Sequence, residues 1–115
     1  MKRVLTLVVS AAALLLFAGA ASAQDPMVDK GKAVYAATPA CRMCHSIAGV
    51  GNAKGSLDGV GAKLTPAEIK AWLTDPAAMT AKTKAERKPP MKLSKPLSSE
   101  DVDALVAYLS TLKKK

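Results

Sequence analysis

The sequence predicts a small all-α domain of three to five helices. Two observations carry that expectation. Near the C-terminus, Val102, Leu105, Val106, Leu109 and Leu112 recur at the spacing of one helix face. In mid-chain, Thr65-Pro66-Ala67-Glu68 has the residues of a capping box with proline in the first turn, and Ile69, Trp72 and Leu73 follow on one side. No run reads convincingly as a strand, and no internal repeat is present.

The chain begins with an export signature. Lys2-Arg3 form a charged lead, Val4 to Ala18 an apolar stretch, and Ala21-Ser22-Ala23 an A-x-A cleavage site. Residues 1–23 thus read as a secretory signal peptide, with residues 24–115 as one domain and the periplasm as its expected compartment. The competing reading is an uncleaved anchor, since Val4 to Ala23 is uncharged and just long enough to span a bilayer. With the signal removed, the aromatic residues are Tyr35, Trp72 and Tyr108. That is a thin supply for the core of a small domain.

Gln24-Asp25-Pro26 is a short polar lead. A helix is expected from Asp29, as its cap, to about Ala37; Thr38-Pro39 ends it, because the residue before proline is pushed out of the helical region. Gly31 and Tyr35 share one face of this helix. Gly31 is either a weak spot or the place where another helix comes close. Ser46 to Gly61 holds glycines at 49, 51, 55, 59 and 61 and reads as loop. No G-K-[ST] completes a phosphate-binding loop there. Asp75-Pro76 stops the mid-chain helix. Ala77 to Pro96 lacks a long apolar stripe, with a short helical turn at Ala77 to Lys84. Ser98 caps the last helix, and Lys113-Lys114-Lys115 suit its C-terminal dipole.

Chemistry concentrates in Cys41-Arg42-Met43-Cys44-His45. C-x-x-C-H is the pattern of covalent c-type haem attachment. The two thiols add to the haem vinyl groups, and the adjacent His45 becomes the proximal iron ligand. A bare C-x-x-C also fits a dithiol redox pair, a disulfide or half a zinc site. The chain has two Cys and one His in all, too few for a zinc cage, and no β-α-β context for a thioredoxin-like motif. A buried macrocycle would also supply the apolar surface that the aromatics do not. The chain without haem is therefore expected to fold poorly.

The iron's other face has no second His to take. Met43 lies inside the motif and Met27 before the first helix, which leaves Met91 and Met79. Met91 follows Pro89-Pro90, whose backbone is stiff, and is the preferred distal ligand. Met79, three residues after Pro76, is the reserve. Both can equally be packing residues. His/Met ligation raises the reduction potential and closes the iron to oxygen. Trp72 is a core residue or else aims its indole N–H at a haem propionate.

Taken together these residues resemble the class I, single-haem cytochrome c family. The anchors are Gly31 and Tyr35, Cys41 to His45, Leu57-Asp58-Gly59-Val60-Gly61, Pro89-Pro90-Met91 and the Leu105-Tyr108-Leu109 helix. The resemblance implies a cytochrome c-like fold wrapped around one covalently attached haem c, its first and last helices crossing near Gly31, with Met91 as distal ligand. Members of the family often place a proline carbonyl against the proximal histidine's N–H. The matching position here is Ser56.

Removing Lys2 and Arg3 leaves 15 basic and 9 acidic residues, a net charge of +6. Lys82, Lys84, Arg87, Lys88, Lys92 and Lys95 make the most basic stretch. Without nucleic-acid motifs or stacking aromatics, the expected partners are redox proteins with acidic docking surfaces, not nucleic acid. The stretch is otherwise a solvated face. The expected protein is a monomeric periplasmic electron carrier, not an enzyme and not stably membrane-inserted once cleaved. The alternatives are a haem enzyme or sensor with an openable sixth site, and an electron-relay subunit of one oxidoreductase complex.

Overall fold

Asp25, not Asp29, starts the first helix. Its carboxylate accepts the Met27 N–H at 2.9 Å, and Pro26 takes the first helical position, where a missing N–H costs nothing. Asp29 sits in the first turn, where its charge suits the dipole. The computed structural model describes residues 25–114; the signal peptide expected over 1–23 lies outside them.

Six α-helices follow in order: α1 Pro26–Ala37, α2 Pro39–Cys44, α3 Val60–Lys63, α4 Pro66–Thr74, α5 Pro76–Thr83 and α6 Ser99–Ser110. The all-α expectation holds. The count exceeds five because two short helices, α2 and α3, arise in stretches read as a motif and a loop. Prolines explain much of the punctuation: Pro39 and Pro76 each close one helix and open the next. The mid-chain capping box forms in full. Thr65 Oγ1 accepts from Glu68 N–H at 3.2 Å, and the Glu68 carboxylate accepts from Thr65 N–H at 3.1 Å. Ser98 caps α6 through Asp101 N–H at 3.1 Å.

One short strand pair stands against the strand-free expectation. β1 Ser46–Ile47 pairs antiparallel with β2 Val50–Gly51. Two-residue strands are too brief to show alternation in a sequence. Ala48 (φ 51°) and Gly49 (φ 81°) join them, both at the positive φ that a tight hairpin turn demands. Asp58 Oδ1 accepts the Ala48 N–H at 2.7 Å and holds the turn down.

The core forms where α1 crosses α6. Val28 and Tyr35 meet Val102, Leu105, Tyr108 and Leu109, with Ile69 and Leu73 of α4 packed beside them. A Cβ built at Gly31 would overlap the Ala104 carbonyl and lie 2.6 Å from Tyr108 Cβ, so only glycine permits this approach. Tyr35 and Tyr108 meet edge to face, ring centroids 6.4 Å apart. Tyr108, expected beside the apolar stripe, is itself buried. Lys30 pairs with Glu100 between α1 and α6, and Lys70 with Asp103 between α4 and α6; both pairs are partly or largely exposed and add little. No helix among the described residues is long and apolar enough to cross a membrane.

Candidate functional site

Between the core and the irregular segment before α6 lies a cleft of about 310 Å³. Its walls are mostly apolar, including Leu57, Val60, Leu64, Ile69, Leu73 and Leu105. Cys41, Cys44, His45, Trp72 and Met91 also line it. Five of the six residues singled out in the sequence thus share one cleft. The sixth, Met79, is buried on α5 at 7 % exposure and does not line it.

Local structure explains the arrangement of the motif. Cys41 and Cys44 are three apart on α2, so their side chains share a face. Both thiols are free. Burial pushes the Cys41 thiol above its ordinary pKa, so it rests protonated. His45 caps α2 in extended conformation, its N–H donating to the Cys41 carbonyl at 2.8 Å. Its Nδ1 hydrogen-bonds the Gly55 carbonyl at 3.0 Å. A carbonyl only accepts, so Nδ1 carries the proton and Nε2 keeps its lone pair for a metal. Burial lowers the His45 pKa against the opposing Gly55 bond, and the Arg87 charge lowers it further. The ring is therefore held neutral, the state in which imidazole ligates.

The acceptor is Gly55, and not Ser56 as expected. A 3-10 turn, Ala53–Gly55, brings the Gly55 carbonyl to the ring. Ser56 instead bridges to Ser46, and its hydroxyl accepts from Asp58 N–H at 3.3 Å. A Cβ on Gly55 would overlap the Cys44 carbonyl and the Arg87 guanidinium, so glycine lets this loop close.

Met91 lies in the stretch between α5 and α6, where residues 85–98 form neither helix nor strand. It is half-buried, packed against the core cluster behind Pro89 and Pro90. Trp72 on α4 is half-buried at the cleft wall. Two hydroxyls on residues that line the cleft, Tyr35 Oη and Thr80 Oγ1, are buried and find no hydrogen-bond partner among the described residues. Burial raises the Tyr35 pKa, with the neighbouring Cys41 and Tyr108 adding to it, so that hydroxyl is a neutral donor.

These features fit a covalently bound haem. The cleft offers apolar walls, two free thiols on one helix face, a neutral imidazole with its ligating nitrogen open, and unpartnered hydroxyls for polar atoms of a guest. Among the described residues no group of three or more His, Cys, Asp or Glu gathers. Gly55 and Arg87, and Asn52, whose Nδ2 donates to the Met43 carbonyl at 3.0 Å, carry no signal of this site in the sequence. Arg87 was hidden in a basic run, where nothing sets one cation apart.

A family model described as Cytochrome c matches residues 28–113. Comparison with curated proteins and with solved structures returns no match.

Proposed function

The chain belongs to the cytochrome c family, whose members are haem-binding electron-transfer proteins, and on that premise we propose a monomeric periplasmic carrier of one electron on a single haem c. When bound, the haem supplies a one-electron ferrous/ferric couple. Cys41 and Cys44 would hold it as thioethers. His45 would offer Nε2 to the iron, its tautomer and orientation set by the Gly55 carbonyl.

Met91 would supply the second protein ligand to the iron. The observation that carries this reading is its place in the same cleft as Cys41, Cys44 and His45, while Met79 is buried in α5 outside the lining. A neutral thioether favours ferrous iron and so raises the potential. It also keeps oxygen and peroxide off the iron, which fits a carrier better than an enzyme or a sensor. The mostly apolar walls would limit water around the iron and so the solvent reorganisation that accompanies its charge change. Trp72, at the cleft wall, would donate its indole N–H to a propionate. The exposed cations from Lys82 to Lys95 flank the Met91 segment and steer the carrier to acidic redox proteins.

The test is carbon monoxide added to the reduced protein at neutral pH. A closed carrier binds it slowly or not at all, and Met91→Ala binds it rapidly with a lowered potential. Rapid, complete binding by the unaltered protein would refute the closed site.

A further inference from the structure

The last carbonyls of a helix have no partner within it. In α2 each finds one. Cys41 O accepts from His45 N–H at 2.8 Å, Arg42 O from Asn52 N–H at 3.1 Å, and Met43 O from Asn52 Nδ2 at 3.0 Å. That leaves the Cys44 carbonyl, which belongs to the peptide leading into His45. It accepts from Arg87 Nη2, a donor 43 residues further along the chain. The same guanidinium lies against Gly55, where a Cβ would overlap Arg87 Nη1. Gly55 is the residue whose carbonyl orients the His45 ring.

We propose that Arg87 is a positioning residue that ties the proximal turn Cys44-His45 to the segment presenting Met91 and holds the iron's potential up with its charge. The proposal rests on the reading of Met91 as distal ligand. Three residues, Lys88-Pro89-Pro90, separate Arg87 from Met91. Both prolines have restricted φ, so movement at Arg87 passes to Met91 instead of being absorbed between them. A charge-assisted bond at a helix C-terminus is stronger than a neutral one and suits the dipole. Among the described residues no Asp or Glu carboxylate pairs with Arg87, whose side chain is exposed. A cation beside the proximal ligand disfavours ferric iron. Lysine reproduces the charge but not the planar fork that reaches Cys44 O and Gly55 together.

The experiment uses the haem-loaded protein and two readouts, the equilibrium reduction potential and the rate at which the reduced form binds carbon monoxide. Arg87→Gln should lower the one-electron equilibrium constant about threefold to tenfold, where tenfold is 59 mV, and should bind carbon monoxide several-fold faster. Lys88→Gln removes the same charge one residue away, from an exposed side chain with no such bond. It should change the equilibrium constant less than about twofold. Arg87→Lys should keep the potential but share the faster binding.

If Arg87→Gln matches Lys88→Gln in both readouts, the proposal is overturned. If Arg87→Lys matches the unaltered protein in carbon monoxide binding, Arg87 is a point charge and the bridge is refuted. If the unaltered protein binds carbon monoxide rapidly, the Met91 reading fails first and the bridge falls with it.

Discussion

Replacing Gly31 by alanine puts a methyl group where α6 already stands. Its Cβ would lie 2.6 Å from Tyr108 Cβ and 2.8 Å from the Ala104 carbonyl carbon, against 3.4–4 Å for ordinary contact. These neighbours are backbone or Cβ atoms, so no side-chain rotation relieves the overlap. The helices must part by close to an ångström, which loosens the packing of Tyr35, Leu105 and Tyr108 around the crossing. Overpacking costs about 1–3 kcal/mol, and a clash with backbone that cannot rotate away takes the upper end, about 2–3 kcal/mol. Alanine's better helix propensity returns about 1 kcal/mol. The net expectation is a loss of about 1–2 kcal/mol, or a Tm lowered by roughly 5–15 °C in a domain of this size. Thermal melts of the haem-loaded protein by circular dichroism measure it. Ala33→Gly, at an exposed site on the same helix, calibrates the propensity term and should cost about 1 kcal/mol. A Gly31→Ala protein as stable as the original, or more so, would refute the close approach of α1 and α6.

Three further outcomes follow from the same structure. Met79→Ala should destabilise the protein by about 2–5 kcal/mol, as for other buried methionines, and leave the potential unchanged; a lowered potential would move the distal ligand from Met91 to Met79. Ser98→Ala removes the cap of α6 and should cost about 1 kcal/mol in a denaturant melt, with the visible spectrum unaltered. The rate of electron transfer to an acidic partner should fall as ionic strength rises, because surface charges are screened beyond about 10 Å at 0.1 M salt; a salt-independent rate would remove the docking role of the lysines near Met91.

Where sequence and structure agree, the signal was local. The Thr65 to Glu68 box and the Ser98 cap are complete within four residues, and both form as read. The α6 stripe is periodic enough to mark its buried face. Gly31 was ambiguous, and only the crossing helix decided between a weak spot and a close approach. The disagreements are positions where two segments meet from far apart or where an element is too short to be periodic. Asp25 caps α1 because Pro26 follows it directly, a stronger start than Asp29, which stands four residues later. α2 and the β1–β2 hairpin span six and two residues per element, below the length at which apolar spacing is legible. Gly55 displaced Ser56 as the His45 partner because the turn over residues 53–55 sets which carbonyl faces the ring. The Arg87 contact with Cys44 spans 43 residues and has no sequence signature at all.

The proposed carrier requires one haem held by Cys41 and Cys44 on an exported chain. The most direct test is the intact mass of the purified protein under denaturing conditions, with its visible spectrum taken on the same sample. The predicted result is a chain beginning at Gln24 that carries one haem through denaturation, with the spectrum of low-spin iron bound by nitrogen and sulfur. A chain whose mass lacks haem, or one with Cys41 and Cys44 joined as a disulfide, would contradict it.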